Sequence, residues 1–317
     1  MKILMINPTY GGISGTGQYV RELSIRLKEH GNEVEVMNIE AVGVMNIPRI
    51  KSISFYILSK IKLIEHVEKY DIIHIHNPKF AGLSSIKTPS IITVHGDYIE
   101  FEMKYGRKIA PIMKYIEKNM KKAKAITTVS PLTAKLRGWI YTPNGIDLEW
   151  IRRIPKKEDG GHILWVGRND PIKRPTLFKK AMKILNLPNI ALGVDVKVSR
   201  KEVIAYMKSS KCLVITSKWE GFPTTLLEAW ASGLPVISVP IPPLKALSRK
   251  AIYFSKSDKP KDIAEAVKQV ISKEELREKL VKEGFKEVEK YTWSNIVKQW
   301  IEIYSKIMKN SSNLNIN

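Results

Sequence analysis

The chain has 317 residues, of which 44% are hydrophobic, and carries 53 basic against 31 acidic side chains for a formal net charge of +22. That length and apolar content allow two packed domains and exclude global disorder. The charge calls for an anionic partner, whether phosphorylated substrate, anionic lipid or nucleic acid, and the lone cysteine, Cys212, excludes a disulfide framework or a cysteine metal site.

The first apolar run, residues 2–7, reads as a buried strand. It is too short for the apolar region of a signal peptide and has no cleavage site, so a cytoplasmic protein is expected. Further strands are predicted at 33–39, 72–77, 91–95 and 125–129. Helix-period segments separate them, such as 18–30 with Val20, Leu23, Ile25 and Leu27 inward. The apolar stretch 47–64 is broken by Arg49, Lys51, Lys60 and Lys62, so it does not predict a transmembrane helix. Pro143-Asn144-Gly145 is a turn signal that closes this first series.

After a polar loop at 156–161, a second series of strands is predicted at 163–166, 212–216, 236–239 and 252–254. Its helices are predicted at 176–186, 200–209 and 224–232. Cys212 sits in the apolar run Cys212-Leu213-Val214-Ile215 and reads as a small buried core residue. Short, near-continuous apolar strands alternating with helices predict parallel sheets covered on both faces. The fold class is therefore α/β, with two doubly wound domains, residues 1–145 and 146–293. The tail, 310–317, reads as frayed.

Three motifs carry chemistry. The loop Gly11-Gly12-Ile13-Ser14-Gly15-Thr16-Gly17 lies between the first strand and the first helix, where glycines and a helix start suit a phosphate. Its spacing is not that of a dinucleotide fingerprint. In Leu164-Trp165-Val166-Gly167-Arg168, followed by Asn169-Asp170-Pro171-Ile172-Lys173, a buried strand delivers Arg168 and Lys173 at its carboxyl end. Open α/β sheets bind ligands at that end, and both side chains suit phosphate oxygens.

The third motif is Glu220-Gly221-Phe222-Pro223-Thr224-Thr225-Leu226-Leu227-Glu228-Ala229-Trp230. Pro223 reads as the first helical residue, leaving the N–H groups of Thr224 and Thr225 aimed at an anion. Glu228 falls about one and a half turns inside the helix. Among apolar neighbours it needs a polar partner such as ribose or sugar hydroxyls.

These motifs resemble the retaining glycosyltransferases of family 4, the group with the E-x7-E motif, and the resemblance covers nearly the whole chain. Glu220 and Glu228 match the E-x7-E pair, and Val166-Gly167-Arg168 with Lys173 matches the basic pair. Thr142-Pro143-Asn144-Gly145-Ile146-Asp147 resembles the interdomain boundary. Thr93-Val94-His95-Gly96-Asp97 resembles the acceptor-side histidine loop. Tyr291-Thr292-Trp293-Ser294 resembles the start of a last helix, 294–317, that returns to complete the first domain.

The resemblance implies two Rossmann-like domains facing a central cleft, the GT-B fold. It implies sugar transfer with retention from a UDP- or GDP-linked donor to an acceptor hydroxyl. Arg168 and Lys173 would hold the diphosphate, Glu228 the ribose, and Glu220 the transferred sugar. Thr224 and Thr225 would offer N–H groups to the phosphates, Gly15 and Thr16 would approach them from the other domain, and Phe222 belongs with the donor-binding set. His95 would sit beside the transferred sugar and acceptor, with His76 and Asp97 as further acceptor-side candidates. For His74 and His76 a structural role on the strand competes with a site role. No Asp-x-Asp pair is present, so neither a cofactor nor an essential divalent metal is expected.

One departure concerns the stretch between Arg168 and the strand at Cys212. It is short for the family's usual strand–helix–strand segment, with only 189–198 in its place, and this leaves the base open between uracil and guanine. Residues 103–124 hold eight lysines and arginines against Glu117, with Ile109, Ile112, Met113, Ile116 and Met120 at helical spacing. The apolar residues form one stripe, and the segment is expected to meet an anionic membrane surface carrying a lipid-linked acceptor, either with the stripe in the lipid or with the stripe in the core and only the lysines facing it. Two other readings stand beside transfer: a sugar-nucleotide epimerase on the same fold, and a basic nucleic-acid-binding protein. No zinc, RRM-like or KH-like signature accompanies the charge, so nucleic acid is not the expected partner.

Overall fold

The structure is a computed structural model and describes residues 1–12, 14–44, 50–84, 87–96, 110–158 and 160–312. Asp97 and residues 103–109 of the basic stretch lie outside the described residues. The chain divides into two compact units, Met1–Asn144 with Trp293–Asn317, and Gly145–Thr292.

The first unit runs β1 (Lys2–Ile6), α1 (Gly15–Glu29), β2 (Glu33–Met37), α2 (Lys51–His66), β3 (Ile72–Ile75), β4 (Ser90–Val94), α3 (Ala110–Met120), β5 (Ala125–Thr128), α4 (Pro131–Arg137) and β6 (Ile140–Tyr141). Its six strands pair in parallel in the order β2-β1-β3-β4-β5-β6. Strand alternation sorts the side chains. Leu4, Ile6, Ile73, Ile75, Ile92 and Val94 pack on one face with α2 and α3. Ile3, Met5, Ile72 and Ile91 pack on the other with α1 and the closing helix. On that second face His74 and His76 follow Ile72 along β3, and Thr93 and His95 follow Ile91 along β4.

Ser14 caps α1, its hydroxyl accepting from Gly17 N at 3.3 Å. Gly17 is required there, because a Cβ would lie 2.5 Å from the carbonyl oxygen of Gly11. The predicted strands extend one or two residues too far at their carboxyl ends. His76 N still donates to Ile6 O at 3.0 Å, but the backbone then leaves the ladder to form the loops that carry polar side chains.

The second unit runs α5 (Leu148–Arg153), β7 (Ile163–Val166), α6 (Pro175–Leu185), β8 (Asn189–Leu192), α7 (Arg200–Ser209), β9 (Cys212–Ile215), α8 (Thr224–Ala231), β10 (Val236–Ser238), α9 (Pro242–Leu247), β11 (Tyr253–Phe254), α10 (Pro260–Ser272) and α11 (Glu274–Glu289). Its sheet has the order β11-β10-β9-β7-β8, again parallel. The strand order therefore reverses between β7 and β9, the position where open α/β sheets bind ligands. The last helix, α12 (Trp293–Ser312), belongs to the first unit.

Three readings need correction. The short stretch 189–198 contains the edge strand β8, followed by a tight turn in which Gly193 has φ +90°. A Cβ at Gly193 would lie 2.1 Å from Gly167 O, so the turn closes on the end of β7. Pro223 is the N-cap of α8, extended at φ −72° and ψ 121°, and the helix begins at Thr224. The apolar residues of 103–124 are not one stripe. Met113, Ile116 and Met120 are core, whereas Ile112 is exposed, because α3 turns its two sides to different surroundings. Lys114, Lys118, Lys121, Lys122 and Lys124 are exposed. Among the described residues no helix is long and apolar enough to cross a membrane. Cys212 is buried, which pushes its thiol up to about 12, as suits an inert core residue.

Candidate active site

In the second unit the loops after β7 and β9 are tied together. Trp165 Nε1 donates to Thr216 Oγ1 at 3.0 Å. Thr216 Oγ1 lies 2.9 and 3.0 Å from the carbonyl oxygens of Lys173 and Arg174. Arg174 Nε donates to Thr216 O at 2.6 Å, and its Nη1 pairs with Asp258 at 2.7 Å. Lys218 N donates to Ile172 O at 2.8 Å. This weave delivers Lys173 to Glu220, whose two carboxylate oxygens accept from Nζ at 2.6 and 2.9 Å. Ser217 Oγ donates to the same carboxylate. Arg168, the other member of the basic pair, is largely exposed, with Asp170 3.8 Å away.

Glu228 has its own cation. Arg200, at the start of α7, donates from Nε to Glu228 Oε1 at 2.7 Å, and its guanidinium lies 4.9 Å from the centre of the Trp150 ring. Glu228 is only 5% exposed, and burial raises its carboxyl above the ordinary range, with Arg200 pulling the other way. Thr224 is exposed and Thr225 half-buried at the start of α8, which has no side-chain cap. That helix end presents N–H groups and partial positive charge. Phe222 is buried edge-on to Tyr291, with ring centres 5.1 Å apart. It packs inside the unit and supports the loop.

The first unit gathers a neutral, aromatic cluster at the carboxyl ends of β3 and β4. His74 is bonded on both ring nitrogens, with Nδ1 2.7 Å from Tyr304 Oη and Nε2 2.6 Å from Thr93 Oγ1. Thr93 continues to Thr127 Oγ1 at 2.7 Å. His76 Nδ1 lies 3.0 Å from His95 Nε2, and Tyr19 meets the His95 ring edge-on at 4.7 Å. Trp300 Nε1 donates to Tyr19 Oη at 2.7 Å. Burial holds His95 down to about 3 and keeps His74 and His76 well below the usual histidine range. His74 is thus a structural strand residue, and His76 is the one that supports His95. Gly15 and Thr16 open α1, and a Cβ at Gly15 would meet nothing within 4 Å.

Sequence reasoning missed Arg200, Ser217, Arg174 and Tyr19. Arg200 stands just after Ser199, which with Glu202 forms a capping box, so it reads locally as one more basic helix residue. Its partner is 28 positions away. Only Ser217, three residues before Glu220, was within local reach.

Two predictions follow from these charges. A folded-state carboxyl raised above its unfolded value disfavours folding once pH rises through that value. Glu228→Gln should therefore raise the melting temperature of the ligand-free protein at pH 7, and the gain should vanish near pH 4. A loss of stability at pH 7 would show instead that the Arg200 pair outweighs the burial. The histidines have the opposite sign. Their folded values are depressed, so the unfolded chain binds protons first, and stability is lost as pH falls below about 6.5 towards the folded value. Each contributes a slope of up to about 1.4 kcal/mol per pH unit. Urea titrations at pH 7.5 and 5.0 should show the first unit weakening, and less steeply in His95→Gln. Identical slopes would remove His95 from the buried neutral network.

Comparison with known proteins gives the family. The family model for glycosyl transferases group 1 matches residues 194–287, and the model for glycosyltransferase family 4 matches residues 13–150. An uncharacterized glycosyltransferase of Methanocaldococcus jannaschii is 24% identical, over 97% of this chain and 99% of its own. A UDP-Gal:alpha-D-GlcNAc-diphosphoundecaprenol alpha-1,3-galactosyltransferase of Escherichia coli is 27% identical, over 57% of this chain and 60% of its own. Among solved structures, sucrose-phosphate synthase from Thermosynechococcus elongatus superposes with a TM-score of 0.82 at 16% identity, covering 98% of this chain and 99% of that one. With both halves matched by family models and two doubly wound units in sequence, the chain belongs to the family 4, group 1 glycosyltransferases and has the GT-B fold.

Proposed function

We propose that the protein transfers a sugar, with retention of anomeric configuration, from a uridine diphosphate sugar to a hydroxyl of a lipid-linked glycan. The observation that carries this reading is the meeting, at the β7–β9 switch point, of a basic loop, an uncapped helix start and two buried glutamates that each hold a cation. Such a set suits a ligand with a diphosphate at one end and hydroxyls at the other. The uridine base and the lipid-linked acceptor are supported by the name of the Escherichia coli relative.

In this reading Arg168, Lys173 and the N–H groups at Thr224 and Thr225 face the diphosphate. Negative charge grows there as the sugar–phosphate bond breaks, and fixed positive groups stabilise it. The leaving phosphate accepts the proton of the acceptor hydroxyl on the same face. The protein's own cations supply the counter-charge, so the reaction proceeds without a divalent metal, and chelator should leave the rate unchanged. Glu228 binds ribose hydroxyls and Glu220 the transferred sugar. Lys173 neutralises Glu220 until a diphosphate competes for it. Gly15 and Thr16 add backbone donors, and neutral His95 offers a ring nitrogen to the sugar or acceptor.

The test is thermal shift against UDP, GDP and ADP, followed by calorimetry. A nucleotide that binds the folded state raises its melting temperature, and UDP should do so most. Arg168→Ala and Lys173→Ala should each lose about 1.5–3 kcal/mol of UDP-sugar binding. Lys173→Ala should also lower the melting temperature of the free protein, because it leaves buried Glu220 unpaired. Arg168→Ala should not, because Arg168 is exposed. Unchanged binding in both variants would move the donor elsewhere. Incubating donor without acceptor separates transfer from epimerisation, which alone would yield a new nucleotide sugar.

A further inference from the structure

Helix α2 has two apolar sides, and only one is used. Phe55, Ser59 and Leu63 recur every four residues and are buried against the sheet. Ile53, Ile57, Ile61 and Ile64 lie on the opposite side of the same helix and are 49–73% exposed. Helix propensity does not account for them, since isoleucine is a weaker helix former than the lysine or glutamate usual on a solvated face. Nothing among the described residues covers this ridge, and a contiguous apolar strip of this kind marks a surface made for a partner.

The neighbouring charge identifies the partner. Tyr56 of α2 and Tyr115 of α3 meet with their hydroxyls 3.4 Å apart, above Gly82, where a Cβ would lie 2.4 Å from Tyr56 Oη. Lys118 follows Tyr115 one turn further along α3, Lys122 stands in the turn just after the helix, and both are exposed. Over residues 110–124 there are five lysines and one acidic residue, Glu117. An isoleucine ridge beside a lysine face fits one medium best, a bilayer with anionic headgroups. The apolar side chains enter the acyl boundary and the lysines reach the phosphates. A second copy of the chain fits poorly, because a two-fold contact would press one lysine face against another.

We infer that α2, α3 and the turn after α3 in the first unit form a membrane-docking surface in which the isoleucines of α2 insert and the lysines of α3 and that turn bind anionic lipid. The element that inserts is α2, whereas Met113, Ile116 and Met120 of α3 are given to the core. The inference deepens the reading of a lipid-linked acceptor and rests on that reading for its purpose, while its binding can be measured without any reaction.

Flotation of the full chain with vesicles of phosphatidylcholine, alone or mixed with phosphatidylglycerol, tests it. The protein should float with the mixed vesicles, less so as salt rises, and hardly with the neutral ones. The double substitution Ile57→Ser with Ile61→Ser should weaken partitioning about tenfold or more. Lys118→Gln with Lys122→Gln should likewise weaken it about tenfold or more. Both variants should keep the wild-type melting temperature and UDP affinity, which shows them folded and tests the donor site separately. Flotation with neither vesicle, equal flotation with both, or isoleucine variants that float like wild type would overturn the proposal. So would a wild-type dimer, seen in sedimentation velocity, that the isoleucine substitutions split.

Discussion

The candidate site of the second unit hangs on a clamp between the loops after β7 and β9. Those strands are neighbours in the sheet but not in the chain, so each loop could wander independently. Arg174 prevents it. It sits at φ +52°, in the left-handed region, and it is not a glycine. Such a conformation persists only where surrounding contacts over-determine it. Here Thr216 O and Asp258 hold its guanidinium, and Thr216 Oγ1 closes on the carbonyl oxygens of Lys173 and Arg174. The preceding residue, Lys173, is thereby aimed at Glu220. Thr216 is in turn held by Trp165, a buried indole on β7. Sheet order, a strained arginine and one threonine hydroxyl together set the position of the Lys173–Glu220 charge pair.

The two units solve opposite electrostatic problems. The second unit buries carboxylates and keeps each tolerable with a cation at 2.6–2.7 Å, Lys173 for Glu220 and Arg200 for Glu228. Buried ion pairs contribute little net stability, because desolvation offsets attraction. Their presence is better explained by a ligand with anionic and hydroxyl ends than by the needs of folding. The first unit buries histidines and keeps them neutral: His74 is bonded to threonine and tyrosine hydroxyls, His76 is bonded to His95, and the three rings pack in sequence. That network supports His95 by packing and hydrogen bonding without adding a charge.

Much of the architecture was legible because it rests on local period. The alternation of short apolar runs with helical stretches marks both sheets, and the strand at 163–166 and the helix at 200–209 match the structure residue for residue. β8 was not recognised, because Asn189-Ile190-Ala191-Leu192 is short and runs into Gly193, whose role is a close approach to Gly167. Pro223 was placed one position too far into its helix, since proline suits both the cap and the first turn. The glutamates and the basic loop were visible as motifs, but their pairing was not. Lys173–Glu220 and Arg200–Glu228 join residues 47 and 28 positions apart, and only the sheet order brings them together. The exposed isoleucines of α2 lie in the apolar stretch 47–64, whose sequence excludes a membrane span but does not say which side of the helix is buried.

The central claim is that the two glutamates divide the donor between them, Glu228 taking the nucleoside end and Glu220 the sugar. Calorimetric titration of bare UDP into Glu220→Ala and Glu228→Ala tests this most directly, since UDP has the ribose and lacks the sugar. The account predicts that Glu228→Ala loses most of its UDP affinity while Glu220→Ala binds UDP nearly as the wild type does. Loss of UDP binding in Glu220→Ala with retention in Glu228→Ala would contradict it.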